Sequence, residues 1–123
     1  RVAFLGFRKD MLSLYQKASI FILSSRSEGL PMVLIEAMSQ GCAPVATDFK
    51  GRTKEIITCD DEGLTCNPED INGLSSIMEK MISDDEYRRR VQNNAIKRSE
   101  YYNLDRVISL WEHRFSIVVP DKC

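Results

Sequence analysis

Short apolar runs and helix-period segments alternate along the first two thirds of this chain, and that alternation restricts its fold more than any other feature. "IFIL" at 20–23 and "CAPVAT" at 42–47 read as buried strands. Val2–Leu5, closed by Gly6, reads as an earlier strand, and "GLTCNPED" holds a later one. "KDMLSLYQKAS" places Met11, Leu12, Leu14, Tyr15 and Ala18 at helical spacing behind Asp10, a suitable N-cap. "PMVLIEAMSQ" at 31–40 opens on proline and closes on Gly41, as helices commonly do.

After the 42–47 strand, "DFKGRTKEII" carries a Gly-centred turn and an expected short helix over 54–57. A further helix starts near Pro68 or Asp70, with Ile71, Leu74, Ile77, Met78, Met81 and Ile82 on one stripe. "DDEYRRRVQNNAIKRSEYY" is expected to be a mostly solvated helix, its Arg88–Arg90 run offset by Asp84, Asp85 and Glu86. Leu104, Val107, Ile108, Trp111 and Phe115 mark a last, strongly amphipathic helix.

Such alternation predicts an α/β fold, a parallel sheet flanked by helices and joined by right-handed crossovers. Ligands of these sheets bind outside the carboxyl ends of the strands. "SSRSEGLP" (24–31) falls at such an end, just before a helix.

Composition narrows the function. The 123 residues form one domain with 28% charged residues and a formal net charge of −1. That balance provides no electrostatic footprint for nucleic acid or an anionic membrane. No apolar run approaches a bilayer span, and the start does not read as a signal peptide. Cys42, Cys59, Cys66 and Cys123 lack C-x-x-C spacing and read as reduced side chains, which fits a cytoplasmic location. His113 is the one histidine, so a His-based metal site or triad has little raw material. Because "RVAFLGF" lacks an initiator methionine and opens into an apolar run, the chain is expected to be a piece of a longer protein.

Two carboxylates bracket a nearly apolar segment. Glu28 lies in the loop before Pro31, and Glu36 is the one charged residue of 31–40. On a helical wheel, Met32, Val33, Ser39 and Gln40 fall within about 60° of Glu36, with Leu34, Ile35, Ala37 and Met38 opposite. Between the carboxylates lie the free N–H groups of a first helical turn, which favour phosphate. Carboxylates accept from sugar hydroxyls, so a diphosphate with a ribose on one side and a hexose on the other satisfies all three features. The residues alone leave open a second account: a polar helix edge and an ordinary loop glutamate.

The stretch resembles the donor-binding signature of retaining, GT-B-fold glycosyltransferases of family 4 (group 1), E-G-[F/L]-x-x-x-[L/V]-x-E-A-M-x-x-G-x-P-V. Glu28, Gly29, Leu30, Val33, Leu34, Glu36, Ala37, Met38, Gly41, Pro44 and Val45 occupy its positions. "VAFLGF", "LYQKASIFILSS" and "KGRTKEII…EGLTCNPED" extend the likeness over residues 2–82, most similar to bacterial enzymes of surface or capsular polysaccharide synthesis. The resemblance implies a Rossmann-like sheet, the C-terminal half of a GT-B fold truncated at its N-terminus. Residues 1–82 would form the donor-site core and 83–123 the C-terminal helices.

It further implies transfer of a hexosyl group with retention, from a nucleotide sugar to a saccharide or lipid-linked acceptor, without an essential metal or other cofactor. A UDP-sugar is expected from its frequency in the family. Glu28 would contact donor-sugar hydroxyls near the anomeric centre, and the backbone of Gly29, Leu30, Pro31, Met32 and Val33 would hold sugar and diphosphate. Pro31 departs from the usual glycine and brings no N–H. Glu36 would take the ribose hydroxyls, and Phe7 and Arg8 would line the base, though an unliganded Arg8 fits as well.

The family's basic pair comes from an earlier segment, and its acceptor domain is N-terminal; neither is in this chain. The fragment is therefore expected to be inactive alone, with the apolar face of its last helix open to self-association and the parent open to peripheral membrane association. Lys50, Arg52 and Lys54 around Gly51 read as surface loop charge with a second reading near the diphosphate. Rival assignments are a nucleotide-sugar epimerase, a non-catalytic nucleotide-binding or scaffold module, and a phosphate-receiver domain. The last would need clustered Asp where "FLGFRKD" stands.

Overall fold

The computed structural model describes residues 1–118, and of Val118 the backbone alone. Its elements run α1 (Met11–Tyr15), β1 (Ile20–Leu23), α2 (Met32–Ser39), β2 (Ala43–Thr47), β3 (Leu64–Cys66), α3 (Ile71–Ser83), α4 (Asp85–Ser99), a 3-10 turn (Glu100–Tyr102) and α5 (Leu104–Val118). The three strands form a parallel sheet in the order β1-β2-β3. Ile20 stands opposite Ala43 and Leu23 opposite Ala46, while Val45 faces Leu64. The α/β reading is borne out.

Central β2 is buried along its whole length, as a strand covered on both faces must be. Alternation divides it between two cores. Ala46 joins Leu34, Ile35 and Met38 of α2 with Ile56, Ile57 and Ala95. Ala43 and Val45 join Leu64, Met81, Tyr87 and Val91 on the other face. The expected α2 faces hold: Leu34, Ile35, Ala37 and Met38 are buried, while Met32, Val33, Glu36 and Ser39 are exposed. Burying Leu34, Ile35 and Met38 stabilises the fold by about 1.5–3 kcal/mol each. Gly41 ends α2 at φ +86°, its N–H on Met38 O and that of Cys42 on Ala37 O, a Schellman pair.

Three expectations need correction. Val2–Leu5 is not a strand, and its side chains stand in solvent, Val2 82% and Phe4 98% exposed. A strand exists through its neighbour's hydrogen bonds, and among the described residues nothing pairs with this one. Residues 54–56 are turn and Ile57 is irregular, with no helix over 54–57: Glu55 N–H reaches Gly51 O, but Ile56 and Ile57 both close onto Thr53 O. Third, α4 is packed rather than mostly solvated. Tyr87, Val91, Ala95 and Ser99, spaced by four, are buried along one face.

Helix α4 lies across the amino ends of the strands. Gln92 Nε2 donates to Ser19 O just before β1, at 3.0 Å, and Asn94 Nδ2 to Asp61 O shortly before β3, at 3.2 Å. The Arg88–Arg90 run serves this packing: Arg88 donates to Met81 O and Ile82 O at the end of α3, and Arg90 reaches Asp61. With that edge closed, the carboxyl ends of the strands remain open for a ligand.

The stripe of α3 is covered in part, for Met81 is buried while Ile71 and Ile82 face solvent. Helix α5 touches little beyond the preceding 3-10 turn, and Leu104, Ile108, Trp111 and Phe115 are all exposed. Cys42, Cys59 and Cys66 are free thiols, and Cys123 lies outside the described residues.

Candidate donor site

The site is built by the segment 24–31, which leaves the carboxyl end of β1 and enters α2. Its base is held by Thr47 at the end of β2, whose Oγ1 donates to Ser25 O at 2.5 Å. Glu28 is half-buried on this loop, and Gly29 and Leu30 are exposed.

Pro31 sits at the N-cap of α2, one position before the helical start expected for it, and no side chain caps that end. Helices α3 and α4 are closed differently: Asp70 accepts from Gly73 N–H and Asp84 from Tyr87 N–H. Around the start of α2, Met32 N–H donates to Leu30 O at 2.9 Å and Leu34 N–H to Pro31 O. Those of Gly29, Leu30 and Val33 have no acceptor among the described residues. Of the five expected backbone donors, one is missing by chemistry, one is engaged internally and three are free. That is the arrangement of an anion-binding helix start.

Gly29 adds a second observation. Its φ is not in the left-handed range, and a Cβ built on it would meet nothing within 4 Å. By contrast, a Cβ at Gly63 would come within 2.6 Å of Pro44. Neither backbone conformation nor packing asks for glycine at 29; the close approach of something outside the chain would.

Glu36 is exposed on α2 between two neighbours. On one side Tyr15 of α1 packs with Ala37, Cys42 and Phe21, its ring edge-on to Phe21 at 5.6 Å. Burial raises the Tyr15 pKa, and the adjacent Glu36 charge and hydrogen-bonding carboxylate raise it further. On the other side opens a groove of about 440 Å³, lined by Glu36, Ser39, Ser99, Glu100 and Asn103 among others. Ile35, Ile96 and Tyr102 complete its lining, so Glu36 borders a mixed polar and apolar depression large enough for a pentose.

Phe7 and Arg8 lie apart from this loop in sequence and are arranged differently. Phe7 is almost wholly exposed. Arg8 is taken by Asp10 in a two-pronged contact of 2.8 and 2.6 Å, which holds the Asp10 carboxyl down at about 2. Asp10 therefore precedes α1 as expected, but its carboxylate serves Arg8 and Ser13 Oγ rather than capping the helix. The pair would have to open for Arg8 to meet a base.

Sequence reasoning passed over a second depression of about 250 Å³ at the same edge, lined by Ser24, Arg26, Thr47, Glu69, Asp70, Ile71 and Leu74. The stretches "SSRSEGLP" and "EGLTCNPED" supply most of its lining, but only the sheet, where the ends of three strands meet, brings them together. Among the described residues no cluster of three or more His, Cys, Asp or Glu side chains is placed to hold a metal ion.

A parallel sheet with helices on both faces, an uncapped helix start at its carboxyl edge and a glutamate on either side of that start place the chain in the Rossmann-like class of α/β domains. The profile of the family described as "Glycosyl transferases group 1" matches residues 1–98, and the chain belongs to that family. It is 29% identical over 111 residues to a Campylobacter jejuni protein named GalNAc-alpha-(1->4)-GalNAc-alpha-(1->3)-diNAcBac-PP-undecaprenol alpha-1,4-N-acetyl-D-galactosaminyltransferase, covering 90% of this chain and 31% of that one. Among solved structures, the C-terminal domain of the group 1 glycosyl transferase LpcC from Francisella tularensis superposes with a TM-score of 0.72 at 26% identity, over 84% of this chain and 53% of that one. Sucrose-phosphate synthase from Thermosynechococcus elongatus shares the fold, with a TM-score of 0.71 at 24% identity, over 85% of this chain and 27% of that one. The chain spans about a third of the length of that Campylobacter relative.

Proposed function

We propose that this chain forms part of the donor site of a retaining family 4 glycosyltransferase, which moves a hexosyl group from a nucleotide sugar, a UDP-sugar foremost, to a saccharide or lipid-linked acceptor. The observation that carries the reading is the uncapped start of α2, with free N–H groups at Gly29, Leu30 and Val33 between Glu28 and Glu36. Gly29, which nothing inside the chain requires, supports it. The acceptor in the name of the Campylobacter relative, a saccharide on diphospho-undecaprenol, supports bacterial polysaccharide synthesis on a lipid carrier.

In this mechanism the α2 N–H groups hold the diphosphate and take up charge as it leaves. Leu30 and Met32 flank the sugar with their backbone. Glu28 holds sugar hydroxyls near the anomeric carbon, and Glu36 the ribose diol. The acceptor oxygen bonds to the anomeric carbon on the face from which the diphosphate departs, and its proton passes to the leaving phosphate oxygen, so configuration is retained. No metal is needed, because amide dipoles and cations carry the countercharge.

The parent's N-terminal domain supplies the acceptor site and a basic pair, and the fragment alone does not transfer. No helix among the described residues is long and apolar enough to cross a membrane. A cytoplasmic parent, associated peripherally with the membrane where a lipid-linked acceptor lies, fits the reading.

The test is calorimetric titration of the full-length protein with UDP, GDP, ADP and their common sugar conjugates. One nucleotide series binds, and Glu36→Ala weakens it by about tenfold or more, as expected for lost hydrogen bonds to a charged group. Unchanged affinity in Glu36→Ala returns Glu36 to a polar helix edge. No binding by the folded parent makes the domain a non-catalytic scaffold.

A further inference from the structure

Four cations lie on the segments that leave the carboxyl ends of the sheet: Arg26 after β1, and Lys50, Arg52 and Lys54 after β2. Three face a carboxylate. Arg26 stands 3.4 Å from Glu69, Arg52 2.9 Å from Glu55 and Lys54 3.9 Å from Asp48. Lys50 has no carboxylate within 4.0 Å among the described residues; its ammonium lies 5.1 Å from the centre of the Phe49 ring.

The backbone under Lys50 is unusual. Its φ is +51°, followed by Gly51 at +80°, so a β-substituted residue holds a left-handed conformation that glycine would adopt more readily. The surrounding turn enforces it. Asp48 Oδ1 accepts from Thr53 and Lys54 N–H, and Thr53 Oγ1 donates to Thr47 O at 2.8 Å. Arg98 of α4 donates to Ile56 O and Glu55 O, and Tyr102 OH of the following 3-10 turn also donates to Glu55 O.

The segment also lies on the donor side of the sheet. Ile56 and Ile57 pack with Leu34, Ile35 and Met38, so residues 49–57 run down the same face as α2. Both begin at the carboxyl edge, from neighbouring strands joined by the Thr47–Ser25 hydrogen bond. Gly51, like Gly29, looks onto open space.

We infer that Lys50 is a phosphate-contacting residue of the donor site, its ammonium set beside the free N–H groups of α2 to take charge from the nucleotide diphosphate. This rests on the donor-site reading above and adds to it a cation contributed by this chain itself. An ammonium on a flexible stem meets a phosphate as a point charge, needing no fixed fork, so a short loop can present it.

The test uses the full-length protein with Lys50→Gly and Lys50→Arg. Glycine removes the charge yet suits the left-handed backbone, so the loop keeps its shape and the melting temperature does not fall. For UDP, GDP or ADP, whichever the wild type binds, affinity falls about tenfold in Lys50→Gly, as for a lost hydrogen bond to a charged group. Affinity for the matching nucleoside, which lacks the diphosphate, stays as it was. Lys50→Arg restores most of the loss. If Lys50→Gly binds the diphosphate like wild type, or weakens diphosphate and nucleoside alike, the inference is overturned. The donor-site reading then still stands, provided Glu36→Ala weakens binding. A wild type that binds no nucleoside diphosphate overturns both.

Discussion

Thr47 Oγ1 donates to Ser25 O at 2.5 Å, with Leu23 O 3.4 Å away, so one hydroxyl at the end of β2 anchors the loop that carries Glu28. The side chain is buried, and water does not readily replace it. Thr47→Val leaves the Ser25 carbonyl without that donor and is expected to cost about 1–3 kcal/mol of stability. Denaturant unfolding checks this. An unchanged midpoint would show that the loop finds another anchor.

Gly29→Ala separates ligand needs from folding needs. The added methyl meets nothing within the chain, so the melting temperature should move by less than about 2 °C. Nucleotide-sugar affinity in the full-length protein should fall several-fold, because the methyl occupies the space through which the ligand approaches. A variant that binds its donor normally would remove the glycine from the argument.

Tyr15 reports on Glu36. Its raised pKa comes first from burial and then from the Glu36 carboxylate. A group whose folded pKa is raised holds its full contribution below the unfolded value, near 10, and loses it as pH climbs through the folded one. Alkaline stability should therefore decline above about pH 10. Glu36→Gln should move the Tyr15 transition toward the free-tyrosine value, read by ultraviolet titration. No movement would mean that carboxylate and phenol do not meet in solution.

Arg98 stitches α4 to the turn after β2 through two carbonyls, Ile56 O at 2.8 Å and Glu55 O at 2.9 Å. Its side chain is largely buried, with Glu62 3.9 Å away. Arg98→Met keeps the aliphatic stem and removes the donors, so a loss of about 1.5–3 kcal/mol follows. Hydrogen exchange should locate the loosening in residues 50–57. Uniform change across the chain would contradict this local account.

What the sequence shows and what it hides follow from where the determining contacts lie. Helix α2 was legible to its faces, because a run with one charge leaves a single way to turn Glu36 outward. The strands 20–23, 42–47 and the one within 63–70 were legible as short apolar runs. Val2–Leu5 carries the same signal, but pairing is a property of two segments, and no described segment meets it. Helix α4 hides its buried stripe because two of its four members, Ala95 and Ser99, are small or polar. The turn at 50–57 depends on Asp48 reaching forward and Arg98 reaching across from α4, contacts no local pattern announces. For the site, the motif singled out Glu28 and Glu36 in advance, whereas the missing cap on α2 and the Tyr15 neighbour needed coordinates.

The central claim is that Glu28 and Glu36 serve one donor from either side of the α2 start. It is tested most directly by steady-state transfer with Glu28→Gln in the full-length protein, alongside nucleotide binding by the same variant. The account predicts that transfer falls by about a hundredfold or more while affinity for the nucleoside diphosphate stays near wild type, since the residue meets the sugar and not the nucleotide. Normal transfer by Glu28→Gln would contradict it.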